Sequence, residues 1–440
     1  MNREVFKSIL LGVLVLSSIA MTWNIWFYKS DFKNYGGTSN SATPVAIAQS
    51  QKLTSVIRPS LILQKEPEGT VGQTDNGRVV SGYKIFQNAV FSNVLPSNRQ
   101  KSLLKKTDTV SYEIIFPAPL MQGTLKKIFR FGDNNVQIPQ DTSVDRVEIY
   151  LPVSGGGMAA VFRSQDNRDQ FSATVSKVSL NSLNQIFSGG QTGLYGPHRL
   201  RNKMVYLPLG PTKVNTEITY IQKIPVDAFI PILFTDPKNV FHYRGKTAYT
   251  DGTRQLENNS NILQYVNPGI SGSTEMTDPI FHSFEFINNF KAWTNNFVYD
   301  GLTLSSNQQD TVTFRLLIGN YMVYNTEYYP SPYLTAMELT WKNQDLSSFN
   351  RTLITFSSID EPGSVTLDSG NEVLTTLKKN GVPIEGIEDM AIGYRIANPQ
   401  SNDNTSLTAL PDWFYKINNR WYSEDATLGS RRPGQQGANP

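Results

Sequence analysis

The chain has 440 residues, and its 40 Lys and Arg against 37 Asp and Glu leave a net charge of only +3, too little to argue for a nucleic-acid partner. A hydrophobic content of 39% with 11% aromatics excludes a chain that stays unfolded, and the length suggests two or three domains. The absence of Cys excludes a disulfide scaffold, a thiol nucleophile and thiolate metal sites, and fits an exported bacterial protein.

The first element is "SILLGVLVLSSIAMTWNIWFY", residues 8–28, which carries no charge. At about 1.5 Å per residue it extends roughly 31 Å, the thickness of a hydrocarbon core. Ser18-Ile19-Ala20 has the small-x-small form of a signal-peptidase site. Against cleavage, the apolar run continues through Met21, Trp23, Ile25, Trp26, Phe27 and Tyr28, an aromatic end suited to the membrane interface. The expectation is a single retained transmembrane helix, with residues 1–7 cytoplasmic and the body extracytoplasmic. Charge barely decides this orientation, since Arg3 and Lys7 face Lys29 and Lys33. Small residues let membrane helices approach closely. Ser8, Gly12 and Thr22 fall along one side of the helix, and Ser17, Ala20 and Asn24 on roughly the opposite side. These six are the candidate partner contacts; the plainer reading is that they are incidental in an anchor.

Residues 29–52, with "GGTSNSATP", read as a tether. A first α+β domain is expected over 53–190. It starts at Val56, Ile57, Leu61 and Leu63, continues through a strand in "SYEIIF" and a helix in "LMQGTLKKIF", and then reaches "DRVEIYLPV". There Val147, Ile149 and Leu151 alternate with Glu148 and Tyr150, the period of a half-buried strand. "SGGGMAAVF" reads as a glycine turn into a further strand, and "LNSLNQIF" as a short helix. The basic groups around Arg99–Lys106 and Lys126–Arg130 read as solvated faces. The Gly-rich "SGGQTGLYGP" marks a boundary.

A second domain is expected over 200–335 and a third over 336–425. In "TDPIFHSFEFINNF" Asp278 is the expected N-cap and Pro279 the first helical residue, with Ile280, Phe284 and Ile287 on one face. Gly319-Asn320 and Asn418-Asn419 sit at hairpin turns. Ser369 and Glu372 have capping-box spacing, with Val373, Leu374 and Leu377 inward and Gly381 as stop. Helix, strands and hairpin thus occur twice, a loose repeat. Residues 426–440 read as a disordered tail. The fold class is α+β, antiparallel sheets with helices on one face.

Catalytic constellations are not evident. His198, His242 and His282 stand alone in sequence and form no metal-ligand spacing. Ser102 and Lys105 match S-x-x-K, but the S-D-N and K-T-G companions are absent. Asp360-Glu361 and Glu385, Glu388 and Asp389 read as ordinary surface carboxylates. No enzyme activity, cofactor or metal is expected.

Several stretches resemble the YycH (WalH) family of Gram-positive bacteria: "MNREVFKS", the span ending in Ile25-Trp26, "VIRPSLIL" and "LPDWFYKINNRWYS". The resemblance covers essentially the whole chain. It implies a non-enzymatic regulator of an essential two-component system of cell-wall metabolism. It also implies contact, through membrane helices, with the sensor kinase WalK and the auxiliary protein YycI. Three α+β domains are implied, the last YycI-like; the sign of regulation does not transfer, and a homodimer is left open. The alternatives are a binding module for a wall component and, behind it, a wall-active hydrolase.

Overall fold

The computed structural model describes residues 47–96, 110–132, 137–139, 141–151, 157–243, 247–270, 278–305, 309–326, 331–397 and 406–429. The expected span, with Ser8, Gly12, Ser17, Ala20, Thr22 and Asn24, lies outside them, as do Ser102 and Lys105. Among the described residues no helix is long and apolar enough to cross a membrane.

The first residues are held by the middle of the chain. Ala48 N donates to Lys291 O at 2.6 Å, Gln51 N to Asn288 Oδ1 at 2.7 Å, and Gln49 bridges Trp293. The end of the expected tether is therefore docked. Leu53–Val56 then forms a single helical turn where a strand was expected, and the first strand is Leu61–Glu66.

A ten-stranded sheet is built from residues 61–208. Its spatial order is Lys203–Pro208, Thr192–Leu200, Gly69–Gln73, Leu61–Glu66, Val110–Met121, Ser143–Leu151, Met158–Arg163, Asp169–Ser176, Val90–Pro96 and Arg130–Phe131. One face is apolar. Ile62, Ile114, Phe116, Val147, Ile149 and Phe162 share a core with Val79, Tyr83 and Phe86 of the helix Asn76–Asn88. Asp75 caps that helix by accepting from Arg78 N at 2.9 Å. A Cβ on its Gly82 would meet Ile62 Cδ1 at 2.5 Å, so only Gly lets the helix lie this close to the strand.

The opposite face differs from the half-buried strand expected over 145–153. Ser143–Leu151 is buried on both sides from Val144 to Tyr150, and Arg146, Glu148 and Tyr150 lie under cover. The cover is the hairpin 192–208. Its two faces do different work, because successive strand residues point opposite ways. Tyr206 sits over this polar face, its ring centre 5.1 Å from Lys65 Nζ. Val205 and Leu207 belong to a separate core with Val373 and Leu377 of the helix Gly370–Lys379 and Trp413. A Cβ on Gly370 would meet Leu207 Cβ at 2.5 Å.

The remaining strands form one fourteen-stranded sheet, twelve on a continuous hydrogen-bonded path and two, Phe297–Thr303 and Arg420–Ser423, paired beside it. Gln309–Ile318 pairs with Phe297–Thr303 on one side and Ala336–Lys342 on the other, so strands either side of residue 335 share a sheet. The two halves of this path are joined in its middle, at the Gly319-Asn320 hairpin, by two residue pairs, Leu317 with Met322 and Ile318 with Tyr321. Beyond it lie Asp389–Ala397, Ser406–Ile417, Thr212–Lys223 and Ile354–Leu367. The local signals hold. Asp278 accepts from Phe281 N and Pro279 opens the helix Pro279–Asn289, whose Ile280, Phe284 and Ile287 are buried. Ser369 and Glu372 make both halves of the capping box. Asn418 and Asn419 both have positive φ, the backbone of a tight hairpin turn. Part of the expected tail is ordered: Glu424–Gly429 is a short helix.

Candidate functional site

Three arrangements of polar groups stand out among the described residues. The first is the layer beneath the hairpin. Lys65 Nζ lies 2.8 Å from Glu113 Oε2 and 3.3 Å from Glu148 Oε1. Arg163 Nη1 pairs with Glu148 Oε2, and Arg163 Nε with Asp169 Oδ1 at 2.6 Å. Ser111 Oγ and Tyr150 OH both donate to Glu148, at 2.5 and 2.7 Å. Burial pushes the Glu148 carboxyl up, but Lys65, Arg163 and the two hydroxyls outweigh it and hold the carboxyl well below its ordinary value. Such a layer, with its charges neutralised internally, orients the sheet and the hairpin; nothing in it faces an open site.

The second is a cleft of about 610 Å³ between the two sheets. On the first-sheet side it is lined by Arg58, Arg146 and Lys203 with no acid at all. On the second-sheet side it carries Asp300, Glu338, Glu388 and Asp389 together with Arg315 and Lys416. Two ion pairs cross at one end: Lys203 Nζ to Asp389 Oδ2 at 2.5 Å and Arg201 Nη1 to Glu388 Oε1 at 3.1 Å. Glu388 and Asp389, read from sequence as surface carboxylates, therefore join the two halves. Deeper in, Arg315 Nε pairs with Asp300 Oδ2 at 2.7 Å. Glu338 is pushed up by burial, against bonds from Tyr333 and the charge of Arg315. Tyr324 packs at a tilt against Trp421, ring centres 4.1 Å apart.

The third is an acidic corner at the C-terminal helix. Ser423 Oγ donates to Asp412 Oδ2, and Arg395 Nη2 pairs with Asp425 Oδ2 at 2.9 Å. Burial raises Asp412 to about 6, with Arg395 and two hydrogen bonds opposing. Burial, then Asp412, Asp368 and Asp425, raise Glu424 to about 7. Both acids bind protons more tightly folded than unfolded, so the corner is penalised above about pH 7 and relieved as pH falls toward 5. The expected result is that wild type gains stability relative to Glu424→Gln as pH drops from 8 to 5.5. Paired thermal melts check this; parallel curves would refute it.

The three His are not brought together. His198 lies in the strand Thr192–Leu200 and His242 at a sheet edge, while His282 packs edge-on against Trp341 at 4.3 Å. Burial lowers the pKa of both His198 and His282. Among the described residues no three His, Asp or Glu side chains are placed to hold a metal.

Comparison with known proteins adds to this geometry. The model of the YycH protein N-terminal domain matches residues 4–191, and that of the YycH protein C-terminal domain matches residues 202–427. The two-component system WalR/WalK regulatory protein YycH of Bacillus subtilis (strain 168) is 21% identical over 457 residues, covering 96% of each chain. The crystal structure of YycH from Bacillus subtilis superimposes with a TM-score of 0.70 over 86% of this chain and 98% of that one, at 17% identity, a likeness of fold.

Proposed function

The chain belongs to the YycH family, and on that premise we propose that it is a non-enzymatic, membrane-anchored regulator of a WalK-type sensor kinase. The observation that carries the reading is the match to the Bacillus subtilis WalR/WalK regulatory protein along 96% of both chains. A regulator of this kind needs a fixed body and a recognisable membrane segment, not a catalytic centre. The body is extracytoplasmic and residues 8–28 span the membrane once, N-terminus inside. The span contacts the kinase helix along one small-residue edge and a YycI-type helix along the other: Ser8, Gly12 and Thr22 against Ser17, Ala20 and Asn24.

Association in lipid lacks a hydrophobic drive and depends on close packing. Gly12→Leu and Ser17→Leu are therefore expected to leave the protein in the membrane while weakening co-purification of a partner, by roughly 0.6–2 kcal/mol each. Co-purification of each partner with span variants expressed at equal levels measures this. An unrelated span of the same length that supports the same co-purification and signalling would place the contact in the body instead.

A further inference from the structure

We propose that residues 47–51 are a strap coupled to the joint between the two halves of the second sheet, so that undocking the strap loosens the joint. The strap is held lightly. Ala48 N donates to Lys291 O at 2.6 Å, Gln51 N to Asn288 Oδ1 at 2.7 Å and Ser50 Oγ to Asn288 O at 3.4 Å. Gln49, Ser50 and Gln51 are exposed, and Ile47, half-buried, is the one of the five that packs on the core. Segments with few buried apolar contacts and exposed hydrogen bonds open at the low end of a protein's stability range.

The residues that receive the strap also reach the joint. They follow the helix Pro279–Asn289, and the run from Asn288 to Asn296 bonds to both halves of the second sheet. Leu317 N donates to Asn296 O at 2.8 Å, and Leu317 with Met322 is one of the two pairs that make the joint. Asn295 accepts from Phe356 N at 2.7 Å and donates to Ile354 O at 2.8 Å. Ile354 opens the strand Ile354–Leu367, which pairs with Thr212–Lys223 in the other half. At the hairpin itself Asn320 Oδ1 accepts from Asn76 N at 2.7 Å, which carries the contact on to the first sheet. The run is strained where the strap meets it. Lys291, whose carbonyl accepts from Ala48, has a φ of 49°, a left-handed conformation that side chains rarely adopt. Such a residue keeps that conformation only while its surroundings hold it. Loss of the Ala48 bond removes one hold and lets the backbone that carries Asn295 and Asn296 relax. A coupling of this kind acts equally in both directions. A pull from the N-terminal side of the chain enters at the strap. That the membrane supplies the pull rests on the anchored reading; the coupling itself does not.

The test is amide hydrogen exchange on the full-length protein in detergent micelles. Ala48→Pro deletes the donor to Lys291. Since one hydrogen bond shifts a local opening by roughly three- to tenfold, Gln51 should exchange about tenfold faster and Leu317 and Phe356 about threefold faster. The strand Met158–Arg163 should be unchanged, which separates local release from a loss of overall stability. Ala48→Gly keeps the N–H and should leave Leu317 and Phe356 as in wild type. Asn288→Ala, which removes the acceptor for Gln51, should act in the same direction as Ala48→Pro. In reverse, Asn320→Ala should speed exchange at Ala48 and Gln51. The proposal is overturned if Gln51 stays protected in both Ala48→Pro and Asn288→Ala. It is also overturned if Gln51 is released while Leu317 and Phe356 exchange as in wild type. Failure of the regulatory reading shows separately, as absent co-purification of the kinase with these exchange patterns intact.

Discussion

Glu148→Gln is expected to destabilise the first sheet by about 3–5 kcal/mol, read as a fall in the urea midpoint at unchanged slope. The carboxylate is 3% exposed and neutralises two cations, Lys65 and Arg163, of which Arg163 is itself almost wholly covered. Removing the charge but keeping the shape leaves Lys65 with Glu113 alone and Arg163 with Asp169 alone, so each cation loses one of its two carboxylates and the Arg163 Nη1 end loses its close one. Among the described residues Glu113 is the only other acid close to both; it already holds Lys65 at 2.8 Å but lies 3.8 Å from Arg163 Nη1, so the loss falls chiefly on Arg163. Adding Lys65→Met to Glu148→Gln should recover part of the loss, because a buried pair removed together costs far less than one partner removed alone. A loss below about 1 kcal/mol would mean that this layer behaves like a solvated surface pair.

Arg351→Met should cost about 3 kcal/mol and should loosen the chain's first described residues as well. Arg351 is fully buried, and no carboxylate pairs with it among the described residues. Its Nη1 donates to Ala292 O at 2.8 Å, Nη2 to Thr294 Oγ1 and Nε to Thr352 O, and the guanidinium lies 5.0 Å from the centre of the Phe229 ring. Burial lowers its pKa to about 9, which still leaves it mostly charged at neutral pH. Met fills much of the volume but leaves the acceptors unpaired, each worth about 1–3 kcal/mol when buried. Arg351→Lys should not rescue, because one ammonium cannot reproduce a planar fork reaching three acceptors. Trp293 lies between two of those acceptors and bridges Gln49, so hydrogen exchange at Ala48 and Gln51 should accelerate in both variants. Exchange and melting like wild type in Arg351→Met would remove Arg351 as the support of this region.

Local instructions were legible in the sequence because they act over three or four residues. The Asp278–Pro279 start, the Ser369–Glu372 box and the Asn418-Asn419 turn are each completed by neighbours, and the structure contains them. The polar face of Ser143–Leu151 was not legible. Glu148 and Tyr150 alternate with apolar residues as a solvent face does, and their cover, Tyr206 and Met204, comes from a hairpin more than fifty positions later. The cleft was hidden for the same reason. Arg58 and Glu338 share one cleft, yet nothing near either residue records the other. A strand order that brings Tyr321–Thr326 beside Asp389–Ala397 likewise leaves no local trace.

The docking of residues 48–51 also dates the assembly. Ser50 and Gln51 meet Asn288 across sequence separations of 238 and 237. Closing a loop of that length costs on the order of 5 kcal/mol of chain entropy, which a few hydrogen bonds cannot recover until the helix Pro279–Asn289 and the strands under it already stand. The earliest of these residues to be synthesised are thus among the last to find their partners. In a refolding time course their amides should gain protection after those of both sheets, and a chain caught with this segment still loose has not finished folding.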